Sequence, residues 1–216
     1  MTTSSKVIVL DLDDTLYSEF EYLKSAYSYI AKKLSKDSVY LYQLMLTKYN
    51  NNENVFDFLS VTYDISKLQL INWYRYHTPD IQLYPDVLTF LNMYLVNSEI
   101  ALVTDGRSKT QRNKIKALGI EKFFKNIVIS EELGFEKPNI ANFEAAITNI
   151  EGESFFYIGD NINKDFITPN KMGWMTICLK DKGCNVHKQK FDIPDEYQPE
   201  YVFESWLEIL SFIETI

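Results

Sequence analysis

The stretch Lys6-Val7-Ile8-Val9-Leu10-Asp11-Leu12-Asp13-Asp14-Thr15 decides the fold. Val7 to Leu10 form the unbroken apolar run of a strand buried on both faces, as in a parallel sheet. The chain then places three carboxylates in four positions. Crowded carboxylates repel one another and resist dehydration, so such a cluster needs a cation. In open α/β sheets, the carboxyl ends of strands are also where ligands bind. The first expectation is therefore a metal-dependent acid site at the top of a sheet.

Downstream of this strand the sequence changes character. No glycine precedes Gly106 and no proline precedes Pro79, while eleven of the fifteen tyrosines lie between Tyr17 and Tyr84. A segment free of both breakers is expected to be helical. Phe20, Leu23, Tyr27, Ile30 and Leu34 recur at helical spacing. A second helix is predicted from near Asp37, carrying Leu41, Leu44 and Met45, and a third around Val55, Phe56 and Leu59. Ser66-Lys67-Leu68-Gln69 has the pattern of a capping box that opens a fourth helix, which Thr78-Pro79 ends near His77. Residues 17–82 read as a helical insert.

The remainder alternates strand and helix. Pro85 is expected at the first position of a helix reaching Asn97. Strands are predicted at Ile100–Val103, Ile127–Ile129, Phe155–Ile158 and Met175–Leu179, with Tyr201–Phe203 as a further edge strand. Between them come a helix opened by Ser108-x-x-Gln111, a second capping box, and closed by Gly119. A helix over Asn139–Ile150 and a short one at Pro169–Met172 follow. A last amphipathic helix carries Trp206, Ile209, Leu210 and Ile213. This alternation means a parallel sheet covered on both faces.

Bulk composition agrees with an ordinary globular protein: 46% hydrophobic and 24% charged residues in 216. The net charge of −8 argues against a partner that is a nucleic-acid polymer. Cys178 and Cys184 match no zinc spacing and read as free thiols of a reducing compartment. The polar start and the lack of a long apolar span predict a cytoplasmic protein with no membrane role.

Polar residues follow each predicted strand of the core. Asp11, Asp13 and Thr15 follow the first, and Thr104-Asp105-Gly106 the second. Lys137-Pro138 lies beyond the third, and Gly159-Asp160, with Asp165, follows the fourth. Taken singly, each has an ordinary explanation: a cap, a turn hydroxyl, a solvated lysine. A parallel sheet would gather all four clusters at one edge. In this order they resemble the four motifs of the haloacid dehalogenase superfamily of phosphohydrolases, DxDxT, Thr, Lys and GDxxxxD. The segment 17–82 is similar to the family's helical cap of the C1 type.

The resemblance implies an α/β fold: a Rossmann-like parallel core from residues 1–16 and 83–216, helices on both faces, and an inserted helical-bundle cap at 17–82. It implies Mg²⁺, held by Asp11, Asp13 (through its carbonyl), Asp160 and Asp165. Asp11 would be the nucleophile, forming an aspartyl-phosphate. Asp13 would protonate the leaving oxygen and later activate water. Asp165 would orient the metal's waters or Lys137. Thr104, the Asp105 N–H and Lys137 would hold the phosphoryl group. Thr15 would fix the loop that carries Asp13. Relatives that remove halide lack a carboxylate two residues after the nucleophile, because halide needs no proton; Asp13 therefore argues against dehalogenation.

The expected substrate is a small phosphorylated metabolite: a nucleoside monophosphate, a sugar phosphate, or a sialic-acid-type phosphate. Tyr17 and Glu19 are the insert residues expected to meet the leaving group. Arg107 is weighed as a second anion clamp against a solvated helix-start residue. Asp105 is expected to turn its carboxylate away from phosphate. His77 and His187 have no partner suggesting a catalytic triad, Trp73–Tyr76 reads as cap packing, and the loop 180–199 has no assigned role. The alternatives are a phosphomutase or phosphotransferase, a phospho-switch, or a non-catalytic scaffold. Oligomeric state is not readable.

Overall fold

A computed structural model describes residues 6–95 and 98–216. Lys6–Leu10 is strand β1. Its side chains alternate between two apolar layers: Ile8 and Leu10 join one core, Val7 and Val9 the other. A strand buried on both faces cannot alternate polar and apolar residues, which is why KVIVL is apolar after its first residue.

The sheet is parallel throughout and ordered β3-β2-β1-β4-β5-β6. The other strands are β2 (Ser98–Thr104), β3 (Asn126–Ile129), β4 (Ser154–Gly159), β5 (Met175–Leu179) and β6 (Tyr201–Phe203). The chain order reverses between β1 and β4. That switch opens a crevice above their carboxyl ends, the usual ligand position in a doubly wound sheet.

Four helices fill the insert: α1 (Glu19–Leu34), α2 (Ser38–Asn50), α3 (Val55–Tyr63) and α4 (Lys67–Tyr76). They enclose their own core, in which Ile30, Met45, Leu59 and Leu70 are fully buried. Each such side chain contributes roughly 1.5–3 kcal/mol. Trp73 and Tyr74 pack against this core, in line with the packing reading of that aromatic stretch. The Ser66 hydroxyl caps α4 by accepting from the Gln69 N–H at 3.2 Å. The chain leaves the core and returns side by side: Tyr17 bridges Leu83, and the Tyr84 N–H donates to the Leu16 carbonyl at 2.9 Å.

After the insert come α5 (Val87–Tyr94), α6 (Ser108–Leu118), α7 (Ser130–Leu133), α8 (Ile140–Ala146), α9 (Ile167–Lys171) and α10 (Trp206–Glu214). Helices α5, α6 and α10 supply side chains to the layer of Ile8 and Leu10; α8 supplies Phe143 to the other. Pro85 does not open α5. It sits in a turn, and Asp86 with φ 67° precedes the helix, so the chain reverses before it coils. Residues 96–97, where that helix was expected to end, lie outside the described residues. Helix α8 is shorter than the expected Asn139–Ile150: Asn149 at φ 58° belongs to the turn that follows it. No helix among the described residues is long and apolar enough to cross a membrane.

Candidate active site

The crevice above β1 and β4 gathers the predicted acids. Asp11 follows β1 and its N–H donates to the Ile158 carbonyl of β4 at 2.9 Å. Carboxylate oxygens of Asp11, Asp160 and Asp165 all lie within 4.8 Å of one another, and the three residues are buried. Both oxygens of Asp11 are held. Thr15 Oγ1 donates to Oδ2 at 3.0 Å, and Lys137 Nζ to Oδ1 at 2.5 Å. Thr15 thus acts on Asp11 itself as well as lying in the loop with Asp13. Its carbonyl is in turn fixed by Trp206 Nε1 at 2.9 Å.

Lys137 also meets Asp165 Oδ1 at 2.8 Å and the Tyr157 hydroxyl at 3.1 Å. Asp165 Oδ2 accepts the N–H groups of Asp160 at 3.2 Å and Asn161 at 2.9 Å. This hairpin-like approach explains Gly159: a Cβ there would stand 2.5 Å from Asp165 Oδ2. Thr104 ends β2, next to the cluster, and Gln111 Nε2 donates to its hydroxyl oxygen at 2.6 Å. The Asp105 carboxylate accepts from the Lys137 N–H at 3.0 Å and pairs with Lys164 at 2.6 Å.

A cavity of about 90 Å³ lies among Asp11, Asp13, Asp14, Glu19, Thr104, Asp105, Lys137, Asp160, Asn161, Lys164, Asp165 and His187. Seven of these residues are acids and two are lysines. Burial pushes the Asp11 carboxyl up to about 7, against the pull of Lys137 and with repulsion from Asp165 and Asp13. Burial, then Asp11 and Asp165, holds Asp160 well above the carboxylate range. Burial would lower the Lys137 ammonium, but Asp11 and Asp165 outweigh it and raise it. The cluster is under-neutralised and built only of oxygen donors, which fits a hard divalent cation.

A sequence model of the haloacid dehalogenase-like hydrolases matches residues 8–179. The chain belongs to this family. As a haloacid dehalogenase-like hydrolase with an aspartate at position 13, it is a phosphatase-type member. It is 26% identical to a glyceraldehyde 3-phosphate phosphatase of Methanocaldococcus jannaschii, over 98% of both chains. It is 28% identical to the pyrimidine 5'-nucleotidase YjjG of Escherichia coli, over 56% of this chain and 50% of that one. The magnesium-bound HAD-hydrolase YfnB of Bacillus subtilis shares the fold, with a TM-score of 0.67 at 20% identity, covering 99% of this chain and all of YfnB.

In this hydrolase three side chains engage the Asp13 carboxylate. Lys114 Nζ lies 2.7 Å from Oδ1, Gln111 Nε2 2.7 Å from Oδ2, and the Tyr17 hydroxyl donates to Oδ1 as well. Burial works against the charged form, yet Lys114, Tyr17 and Gln111 outweigh it and hold the carboxyl below its usual value. Tyr17 is fully buried and touches Asp13 without lining the cavity. Arg107 is not brought to the cavity either. Its side chain is 60% exposed and pairs with Glu131 at 2.7 Å.

Several residues around the site carry no motif. Gln111 was expected to cap α6 with Ser108. Instead Arg107 precedes the helix, Ser108 bonds the Glu132 carboxylate, and the Gln111 amide turns into the site. The pattern S-x-x-Q fits both arrangements, and only packing chooses between them. The loop 180–199 proves to be a wall of the site. Asn185 Nδ2 donates to Asp160 Oδ2 at 2.8 Å, Gln189 Nε2 to the Asp160 carbonyl at 2.8 Å, and His187 reaches the cavity. Asp14 ties this loop to the insert: one oxygen accepts the Val186 N–H at 2.7 Å, the other the Glu19 N–H at 2.8 Å. His77 is structural, bonded to the Tyr74 carbonyl and the Ser25 hydroxyl. Both cysteines are free thiols.

Proposed function

We propose that this protein is a Mg²⁺-dependent phosphatase of small sugar phosphates, of triose size. The size of the cavity carries the reading on substrate. About 90 Å³ accommodates a phosphoryl group and a few further atoms, well short of the roughly 300 Å³ or more of drug-sized pockets. The glyceraldehyde 3-phosphate phosphatase relative, similar along its whole length, supports the same class. The insert at 17–82 is read as the cap over a core of 1–16 and 83–216, with Glu19 as its contribution to the cavity lining.

Asp11, Asp160 and the Asp13 carbonyl would hold Mg²⁺, with Asp165 orienting the shell and Lys137. When bound, the ion supplies the positive charge that an anionic nucleophile facing an anionic phosphate requires. That repulsion is ~4 kcal/mol per unit-charge pair at 4 Å and an effective dielectric near 20. Asp11, its oxygens held by Thr15 and Lys137, attacks phosphorus and forms an aspartyl-phosphate. Asp13 must carry a proton in the substrate complex; it gives that proton to the departing oxygen and, as the carboxylate left behind, takes one from the water that hydrolyses the intermediate. Thr104 and the Asp105 N–H, which stand at the cavity, would receive the phosphoryl oxygens.

The test is kcat/KM for glyceraldehyde 3-phosphate, ribose 5-phosphate and uridine monophosphate, with Mg²⁺ and with chelator. The triose phosphate is expected to lead and chelation to abolish turnover. A nucleotide leading by tenfold would refute the size argument. Turnover of none of them by folded protein, or near-normal activity of Asp11→Asn, would refute the hydrolytic mechanism.

A further inference from the structure

Two buried polar residues of α6 serve neither the helix nor the cavity lining. Gln111 and Lys114 are 1% and 3% exposed and lie three residues apart on one helix face. A lysine is almost never so buried unless paired, and neither residue is among those lining the catalytic cavity. Both reach the back of Asp13. Lys114 Nζ is 2.7 Å from Oδ1, and Gln111 Nε2 is 2.7 Å from Oδ2. The same amide nitrogen lies 2.6 Å from Thr104 Oγ1. The Lys114 ammonium also rests over the Tyr22 ring of α1, 4.6 Å from its centroid. The amide can only face this way, because a turned Gln111 would set its oxygen against a carboxylate. Its far side is closed by Gly106, where a Cβ would come within 3.4 Å of the Gln111 side chain.

We propose that Gln111 and Lys114 are positioning residues for proton transfer: together they fix the Asp13 carboxylate at the cavity wall, and Gln111 sets its distance from Thr104. One face of the carboxylate is bound to fixed donors, so the remaining lone pairs point in a defined direction. A proton-transfer group must lie within hydrogen-bond reach of the leaving oxygen, and small displacements cost rate steeply. The inference rests on the reading of Asp13 as general acid and base.

The decisive readout is the leaving group. An alkoxide must be protonated as it departs; p-nitrophenolate need not be. For kcat/KM, which reports steps through formation of the phosphoenzyme, Lys114→Met and Gln111→Leu should each lose roughly 10²-fold or more with an alkyl phosphate such as glycerol 3-phosphate. With p-nitrophenyl phosphate both should lose less than about tenfold. Asp13→Asn is the control and should show the same split, and Asp13→Asn/Lys114→Met should be no worse than Asp13→Asn alone. Gln111→Leu is close in shape and guards against a Lys114 variant that does not fold. If Asp13→Asn shows the split and the α6 variants lose equally on both substrates, or nothing, the positioning role is overturned. If Asp13→Asn itself shows no split, it is the general-acid reading of Asp13 that fails.

Discussion

Lys137→Met tests the electrostatic balance of the site most directly. The Lys137 side chain is 1% exposed and its ammonium lies 2.5 Å from Asp11 and 2.8 Å from Asp165. Methionine keeps most of the volume and removes the charge, so two buried carboxylates lose their counter-ion. Removing one partner of a buried pair costs about 3–5 kcal/mol. With a urea slope of about 2–3 kcal/mol per molar, the midpoint should fall by roughly 1–2.5 M in the absence of metal. The loss should depend on pH with a definite sign. The folded-state carboxyl of Asp11 sits at about 7, above its ordinary 3.8. The folded protein therefore binds the proton more tightly than the unfolded chain, and stability declines as pH rises from about 4 through 7. Without Lys137, which pulls that value down, the decline should extend to higher pH and the penalty should be larger at pH 8 than at pH 6. Saturating Mg²⁺ should restore part of it, since a ligand at a hundred times its Kd stabilises by about 2.7 kcal/mol. Urea titrations at pH 6 and 8, with and without Mg²⁺, read all three effects. A metal-free variant within about 1 kcal/mol of the parent at pH 8 would refute the argument that Lys137 balances these acids.

Gly159→Ala should cost about 1–3 kcal/mol and lower kcat, because its Cβ would press on Asp165 Oδ2 at 2.5 Å; thermal melts and steady-state rates check it. Glu19 lines the cavity and burial pushes its carboxyl up to about 8. Above that pH a further negative charge faces the phosphate, so kcat/KM should fall on the alkaline side, and Glu19→Gln should flatten that limb of the profile. Arg107→Ala should change kcat/KM for a sugar phosphate by less than twofold, since Arg107 is exposed and bonded to Glu131; a large rise in KM confined to the sugar phosphate would restore it as an anion clamp.

Much of the core was legible because its signals are local. A buried strand announces itself by a mostly apolar run, so Met175–Leu179 is legible to the residue; the half-exposed edge strand Tyr201–Phe203 is legible by its short apolar run and β-prone residues. Helices were found by period but not by their ends. Proline suits a helix start, which predicts Pro85 at the first position of α5, whereas the turn at Asp86 comes first. The acids were legible through the motif they form together. Lys114, Asn185 and Gln189 were not, because nothing near them in sequence distinguishes them from surface residues, and the S-x-x-Q pattern around Gln111 points to a helix cap instead. Their roles come from partners far along the chain: Gln111 is 98 positions from Asp13, and Asn185 is 25 from Asp160.

The strand that opens the chain determined by itself that an acid cluster would stand at a sheet's carboxyl end, since hydrophobic runs and their polar successors are properties of neighbouring residues. Only the tertiary structure decided how those acids differ. Sheet order set β1 beside β4, so that Asp11 meets Asp160, and the loop after α7 carries Lys137 onto the same buried cluster. Packing of α6 turned Lys114 and Gln111 onto Asp13. A carboxylate's charge and orientation depend on burial and on the donors within a few ångströms, and folding alone assembles those around it.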